Sequence, residues 1–464
     1  MIMIKPPLRV KISVVALCVL QLTGCASFTR SEFIQPEIQI PPSWQSVTVN
    51  QQVKLDPWWQ SFNNPELNQL ITQVLQSNND LTLATLTLRK ARLEAGLADA
   101  DSFLQISSSS NAGREKPLSG GAGSNDYSSK LSLSYELDLW GRVSADMDAA
   151  KWSSLASAED RESIAQSLVA TTSKLYWQIG YLKQSMALSQ SSIDYAQQTL
   201  DLTERQYRFG SVSQLNVLEA KRSLAGQLAS HSELGQALTE AQNSLAILYN
   251  QPPLKMPVSI EKLPDGPIPT IAPGVPADVL IRRPDIKSAL YALKSAYAAK
   301  DATYAGYLPT LTLSGALGSS SNELKNLLSN PVATLGANLV LPFLQWNTMQ
   351  LNKQIASVEL ESAVVSYRQT LYNAFEEVDN AISARQHYQY QAQKLRDQYE
   401  AATAAERIYA SQYRNGAVSI QDWLDAKETQ RSAEQSLLEN RYNQFTVQAS
   451  LYQALGGSDV AAEE

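Results

Sequence analysis

The sequence predicts a mostly α-helical fold with a β-barrel part: a trimeric channel-tunnel in which a twelve-stranded barrel, four strands per chain, stands on a long α-helical coiled-coil barrel. Three observations predict it. Long stretches almost free of Pro and Gly carry apolar residues at alternating steps of four and three. Four shorter segments alternate apolar and polar residues or match ones that do. The whole pattern occurs twice, at a spacing of about 205 residues.

The first element is a leader. Lys5, Arg9 and Lys11 precede the apolar run from Ile12 to Leu20. That run is far short of the ~20 apolar residues a spanning helix needs, so residues 1–24 read as a secretory signal. Leu22-Thr23-Gly24-Cys25 resembles a bacterial lipobox, which makes Cys25 the first residue of the mature chain and the carrier of a covalent lipid. An ordinary signal peptide with a chance cysteine is the alternative. The chain has 2 cysteines, and Cys18 lies in the leader, so the mature chain cannot form an internal disulfide. Ala26, rather than Asp, follows the lipobox; in lipoproteins of this kind that implies delivery to the outer membrane. Residues 25–55 then form a lipidated linker, attached to a bilayer without crossing it.

The duplicated unit follows, as residues 56–260 and 261–456, with a tail at 457–464. Tyr207-Arg208-Phe209-Gly210-Ser211-Val212-Ser213 is answered by Tyr413-Arg414-Asn415-Gly416-Ala417-Val418-Ser419. Leu218-Glu219-Ala220 and Leu424-Asp425-Ala426 stand at the same distance beyond, and Asn79-Asp80-Leu81 answers Pro284-Asp285-Ile286. Several matches at nearly one offset mark a duplication. Within each copy the expected order is helix, two strands, long helices.

Strands are expected at about 102–113 and 127–140 in the first copy, and at about 309–318 and 333–345 in the second. Leu131 to Leu139 alternates apolar residues with Ser132, Ser134, Glu136 and Asp138, the period-two pattern of a strand with one wet face. Those four polar residues are expected to face a barrel lumen, and Leu131, Leu133, Tyr135, Leu137 and Leu139 to face lipid. The strand at 102–113 alternates weakly and is placed by the repeat. Between the strands of each copy lie Gly/Ser/Asn-rich loops.

The remainder reads as helix. Leu234, Leu238, Ala241, Leu245 and Leu248 step four-three-four-three, a coiled-coil seam beside Gln, Ser and Asn positions suited to water. A continuous helix from Ala145 to Phe209 would run about 100 Å. Four strands cannot close a membrane barrel, and eight make one filled by its own side chains. Twelve, from a homotrimer, leave an aqueous lumen. A small soluble sandwich capping a helical bundle is the alternative on pattern alone.

With these residues in view the chain resembles the outer membrane factor family, the TolC-like channels that include the OprM- and NodT-type lipoproteins of resistance-nodulation-division (RND) efflux. The marks are Trp58-Trp59 with Pro65-Glu66-Leu67-Asn68-Gln69-Leu70-Ile71, Tyr135-Glu136-Leu137-Asp138-Leu139-Trp140-Gly141-Arg142, Arg282-Arg283-Pro284-Asp285-Ile286, Tyr307-Leu308-Pro309 and both Tyr-Arg-x-Gly turns. The resemblance covers essentially the whole mature chain. It implies a homotrimer in the outer membrane with its tunnel in the periplasm, a periplasmic adaptor protein and an inner-membrane RND pump as partners, and passive exit of drugs or other small toxic compounds. It also implies that Arg208, Gly210, Val212, Arg414, Gly416 and Val418 form the adaptor-docking tips. Asp422 and Asp425 fall where the family narrows its periplasmic entrance; at i and i+3 they share a helical face, and a solvated acidic face is the alternative. Arg282, Arg283 and Asp285 read as a structural helix start.

Several functions are excluded or disfavoured. Net charge is −7 without a basic block, which argues against nucleic-acid partners. Neither a catalytic nor a metal constellation is present, and His231 and His387 stand alone, so an enzyme and a resident cofactor other than the lipid are not expected. A metal-ion efflux channel and a type I protein-secretion duct remain as alternatives. The mature chain offers only Met147, Met186, Met256 and Met349, scattered, as soft sulfur ligands, which disfavours a copper conduit.

Overall fold

The computed structural model describes residues 30–37, 39–40, 44, 57–252, 259–269 and 282–457. Cys25, the leader, most of the linker and the tail lie outside the described residues. The helices are α1 (Pro65–Ser77), α2 (Asn79–Asp101), α3 (Arg142–Arg208), α4 (Gln214–Leu248), α5 (Pro284–Ala305), α6 (Trp346–Arg414) and α7 (Ile420–Ala454). The strands are β1 (Gln105–Glu115), β2 (Ser124–Leu137), β3 (Thr310–Ser321) and β4 (Val332–Val340). The second copy thus reproduces the first, element by element: α5-β3-β4-α6-α7 repeats α2-β1-β2-α3-α4. Helices α3 and α6 are single helices of 67 and 69 residues, about 100 Å each at the usual rise. None of the described helices is long and apolar enough to cross a membrane.

The chain separates into two compact units, and each draws on both copies. Among the described residues, one holds 30–37, 86–159 and 287–370; the other holds 39–40, 44, 57–85, 160–252, 259–269, 282–286 and 371–457. The first unit contains the sheet. Its four antiparallel strands lie in the order β1-β2-β3-β4, so β1 and β4 are open edges.

Strand ends differ from the sequence expectation for local reasons. β1 starts at Gln105 rather than 102 because α2 closes with a turn in which the Ser102 and Phe103 amides donate to Asp99 and Ala100. β2 stops at Leu137 rather than 140, where the chain turns with the Leu139 amide donating to the Leu137 carbonyl. β3 runs three residues further than expected, to Ser321. β4 stops at Val340 rather than 345, because Pro342 has no amide for the ladder and opens a 3-10 turn through Leu344.

In the second unit, aromatic packing explains one sequence mark. Trp58 stacks on Tyr452 at 4.9 Å between ring centroids, and Phe62 lies 4.8 Å from Trp177, itself 5.0 Å from Phe445. The Trp-Trp segment is thereby pinned to α3 and α7. Asn64 then caps α1, its Oδ1 accepting from the Leu67 amide, with Pro65 at the first helical position. Glu66 accepts from the Tyr176 hydroxyl at 2.9 Å, which ties α1 to α3.

The pseudo-equivalent helix starts also explain the Arg-Arg-Pro-Asp run. Arg283 is 7% exposed, pairs with Asp285 and Glu377, both at 2.7 Å, and donates to the Ala454 carbonyl at the end of α7. Burial opposes its charge, but the two carboxylates more than compensate and hold its pKa above the ordinary guanidinium value. In the first copy Asn78, 3% exposed, takes the same place and donates to the Leu248 carbonyl at the end of α4. In each copy, therefore, the residue just before α2 or α5 reaches with its side chain to the last carbonyls of that copy's final helix; Asn78 also caps α2, whereas in the second copy Asp285 takes the Ile286 amide.

Candidate functional site: a two-faced sheet and two hairpin tips

The register of the sheet sorts its side chains onto two faces. Ile106 stands opposite Leu133; Leu131, Tyr135 and Leu137 stand opposite Leu317, Leu313 and Leu311; Leu311 stands opposite Leu339, and Gly315 opposite Leu335. Directly opposed residues share a face, so these form one continuous apolar surface. It is not covered: Ile106 is 66% exposed, Leu317 54%, Leu335 92% and Leu339 59%. The opposite face carries Ser107, Ser132, Ser134, Glu136, Thr312, Ser314 and Asn338. A soluble sandwich would bury the apolar face, and no described residue does so.

Exposed Phe103, Leu104, Phe343, Leu344 and Trp346 stand just beyond β1 and β4, at the end of the sheet where the helices attach. Aromatic residues placed at one end of an apolar band match the girdle of a membrane barrel.

Of the four residues expected in a lumen, Ser132, Ser134 and Glu136 lie on the polar face and are half-buried. Glu136 is held in a two-point ion pair: its two oxygens accept from Arg142 Nε at 3.0 Å and Nη2 at 2.8 Å. Asp138 is corrected. It lies past the end of β2, and its carboxylate accepts from the Val143 amide at 3.0 Å, the Ser144 amide at 2.9 Å and the Ser144 hydroxyl. These are first-turn amides of α3, so Asp138 caps a helix rather than lining a strand. The alternation that suggests a lumen position cannot distinguish the last strand residue from a cap. Trp140 in the same motif donates to the Pro309 carbonyl at 2.8 Å, so the Glu-Leu-Asp-Leu-Trp-Gly-Arg and Tyr-Leu-Pro runs meet in space. Burial pushes the Asp146 carboxyl up, with Asp138 and Glu136 adding to the effect and Arg142 opposing it.

The tips belong to the second unit. Arg208, Gly210 and Val212 occupy the turn from α3 to α4; Arg414, Gly416 and Val418 occupy the turn from α6 to α7. The two glycines have φ of +72° and +73°, which an L side chain adopts at a cost. The closing bonds match as well: Gly210 donates to Tyr207 and Ser211 to Gln206, while Gly416 donates to Tyr413 and Ala417 to Gln412. This is the pattern that ends a helix on a left-handed glycine. Arg208 and Arg414 are exposed and donate from Nε to carbonyls of their own last turns, Glu204 and Ala410. Val212 and Val418 are half-buried.

Asp422 and Asp425 lie in the first turns of α7 and are exposed. Asp422 caps its own helix. Its Oδ2 accepts from the Ser419 amide at 3.0 Å and hydroxyl at 2.6 Å, and those bonds hold its carboxyl below the ordinary range. Asp425 accepts from Gln421 at 3.0 Å. In the first copy Asn216 makes the same cap, its Oδ1 accepting from the Ser213 amide and hydroxyl at 3.1 and 2.8 Å.

Sequence reasoning missed how the tips differ. Around the first, Tyr207, Phe209, Leu215 and Leu218 are exposed, Phe209 at 86%. Around the second, Asn415 and Gln421 replace Phe209 and Leu215, Tyr413 stacks on Trp423 at 5.4 Å, and Trp423 donates to Glu406. Superposing the repeats in sequence would have shown these substitutions. Among the described residues, no group of three or more His, Cys, Asp or Glu side chains is arranged to hold a metal ion.

The profile of the family described as outer membrane efflux protein matches residues 70–251 and 275–457, one segment per copy. The chain belongs to the outer membrane efflux protein family. Among its relatives, the pyoverdine export outer membrane protein OpmQ of Pseudomonas putida is 30% identical, over 90% of this chain and 92% of that one. The probable efflux pump outer membrane protein TtgC of the same species is 30% identical over 86% and 84%. The open state of the Neisseria gonorrhoeae MtrE outer membrane channel superposes with a TM-score of 0.81 at 28% identity, covering 92% of this chain and 98% of that one. This efflux protein accordingly has the TolC-like channel fold, α-helical with a β-barrel part, and is an outer-membrane exit duct rather than an enzyme.

Proposed function

We propose that this efflux protein is a homotrimer, lipid-anchored at Cys25, that carries drugs or other small toxic compounds from an RND-type inner-membrane pump, through a periplasmic adaptor protein, to the cell exterior. The observation that carries the reading is the two-faced sheet with open edges. An exposed apolar face suits lipid, the polar face suits water, and edges left unpaired at β1 and β4 need partners.

Two exposed helical seams support the ring. Leu86, Leu93 and Leu97 recur on α2, which leads into β1; Leu351, Ile355, Val358 and Val365 recur on α6, which follows β4. Both repeat at coiled-coil spacing, and all seven are more than half exposed. Different patches on one chain make head-to-tail contacts, which close into a ring when the rotation allows. Three copies supply the twelve strands argued from strand number. Asp422 and Asp425 then contribute six carboxylates to a narrow entrance, favouring cations and resisting anions. Transport is passive, with dilation driven by the adaptor and the energised pump. Relatives named for pyoverdine export and for an efflux pump favour a small-solute cargo.

The test is accumulation of a panel of dyes and drugs in a deletion strain, with and without the restored gene. Retention that rises on deletion and falls on complementation is expected. Unchanged retention across the panel, with the protein present in the outer membrane of the complemented strain, would sink the small-solute reading.

A further inference from the structure

The amino-terminal strap, residues 30–35, is docked by contacts that a passive linker has no need of. Arg30 pairs with Asp148 of α3 at 3.1 Å. Ser31 donates from both its amide and its hydroxyl, each at 2.7 Å, to the two oxygens of Asp301 on α5. Phe33 packs edge-on against Tyr297, and Gln35 donates to the Tyr367 hydroxyl of α6. Beneath Phe33, Lys294 sits 4.5 Å from the Trp152 ring centroid, 5.5 Å from Phe33 and 5.7 Å from Tyr291, so the strap closes one side of an aromatic cage around a cation.

Asp301 is the informative residue. It is 8% exposed, and among the described residues its carboxylate pairs with no cation; its hydrogen bonds come from Ser31. A buried carboxylate stripped of its donors is costly, so undocking the strap is opposed from the helix side as well as from the strap side. The strap crosses α3 and α5, one helix from each copy, within the unit that contains the sheet.

We infer that Asp301 is a positioning residue that latches this strap and fixes how far the lipid-bearing amino terminus can stray from the foot of the barrel. The inference rests on the lipid-anchor reading above. Cys25 and Ser31 are six residues apart, at most about 20 Å of extended chain. Asp301 stands one turn before the end of α5, and β3 begins at Thr310. With the latch closed, the acyl chains enter the bilayer beside the base of the strands, where the exposed aromatic residues lie. With it open, the tether lengthens past Phe33 and the anchor no longer reports the position of the sheet.

Trypsin cleavage after Arg30 reads the latch directly, on full-length protein extracted from outer membranes in mild detergent. Asp301→Ala should speed that cut about tenfold or more, with cuts elsewhere unchanged. Ser31→Ala combined with Phe33→Ala removes the hydroxyl bond to Asp301 and the ring contacts from the strap side without touching a helix, leaving only the amide bond, and should speed the cut in the same direction. Wild-type cleavage in that double variant would overturn the latch, whatever Asp301→Ala does to folding. The mass of the released amino-terminal peptide separates the two ideas: a wild-type peptide without acyl chains would remove the anchor, and with it the positioning role, while the cleavage rates still report docking.

Discussion

The hairpin turns at Gly210 and Gly416 share backbone, hydrogen bonds and capping serines, yet one is finished in apolar residues and the other in polar and stacked ones. The glycine φ values agree within a degree, and Ser213 and Ser419 hold equivalent caps. Phe209 and Leu215 are then exposed where the second copy places Asn415 and Gln421, and the aromatic pair Tyr413 and Trp423 is satisfied within its own hairpin. Duplication preserved what the turn needs to exist and let the rest diverge. An apolar surface left open at one tip only is the part expected to meet another protein.

The largest effect should come from breaking that difference. Phe209→Ser with Leu215→Ser is expected to weaken adaptor binding about thirtyfold or more, as loss of a buried aromatic anchor does, and to return drug accumulation to the deletion level. The matched pair Asn415→Ser with Gln421→Ser should leave both near wild type. Equal loss from the two pairs, measured by adaptor pull-down and accumulation, would mean that the tips dock alike and that exposure at the first is incidental.

Next in size is the pair of closing residues, Arg283 and Asn78. Arg283→Ala strips Glu377 and the Ala454 carbonyl of the Arg283 donor and leaves Asp285 only the Ile286 amide; with Glu377 56% exposed on its side chain, water offsets part of the loss, and about 2 kcal/mol is expected. Asn78→Ala removes a helix cap and one bond to the Leu248 carbonyl, about 1 kcal/mol. Thermal melts of the detergent-solubilised protein should rank the two variants in that order. A reversed ranking would show that the ion-pair cluster of the second copy contributes nothing beyond the cap.

How much of this is legible in the sequence follows from the kind of pattern each feature leaves. The duplication, the long helices and β2 can be read directly, because periodicity of two or of three and a half survives in a single chain. β1 is rich in serine and is placed only by the repeat. Asp138 misleads because its spacing continues the strand alternation, and only the turn at Leu139 reveals it as a cap. The latch between Ser31 and Asp301 spans 270 residues and leaves no local pattern at all. The tips are marked by their glycines, whereas their inequality lies in residues between the shared letters.

The entrance offers a smaller contrast. Asp422→Ala with Asp425→Ala should raise single-channel conductance in a planar bilayer by a fewfold and weaken cation preference, since two carboxylates per chain leave the ring. Asn216→Ala with Glu219→Ala removes one charge per chain and should change conductance less. If the two double variants behave alike, the aspartates serve only as helix caps and surface charge.

The smallest effect concerns the caps alone. Asp422 titrates and Asn216 does not. Bonds from the Ser419 hydroxyl and amide hold the Asp422 pKa below its ordinary 3.8, so its contribution to α7 is fully present above that value and is lost as pH falls through the lowered one. Amide exchange at the first turn of α7 should therefore quicken in acid below about pH 3.8, relative to the intrinsic rate, while the first turn of α4 holds its protection. Asp422→Asn should abolish the acid response and give the second tip the cap of the first. If protection at α7 instead stays constant through that range, the serine hydroxyl alone sustains the cap and the carboxylate is free to act at the entrance.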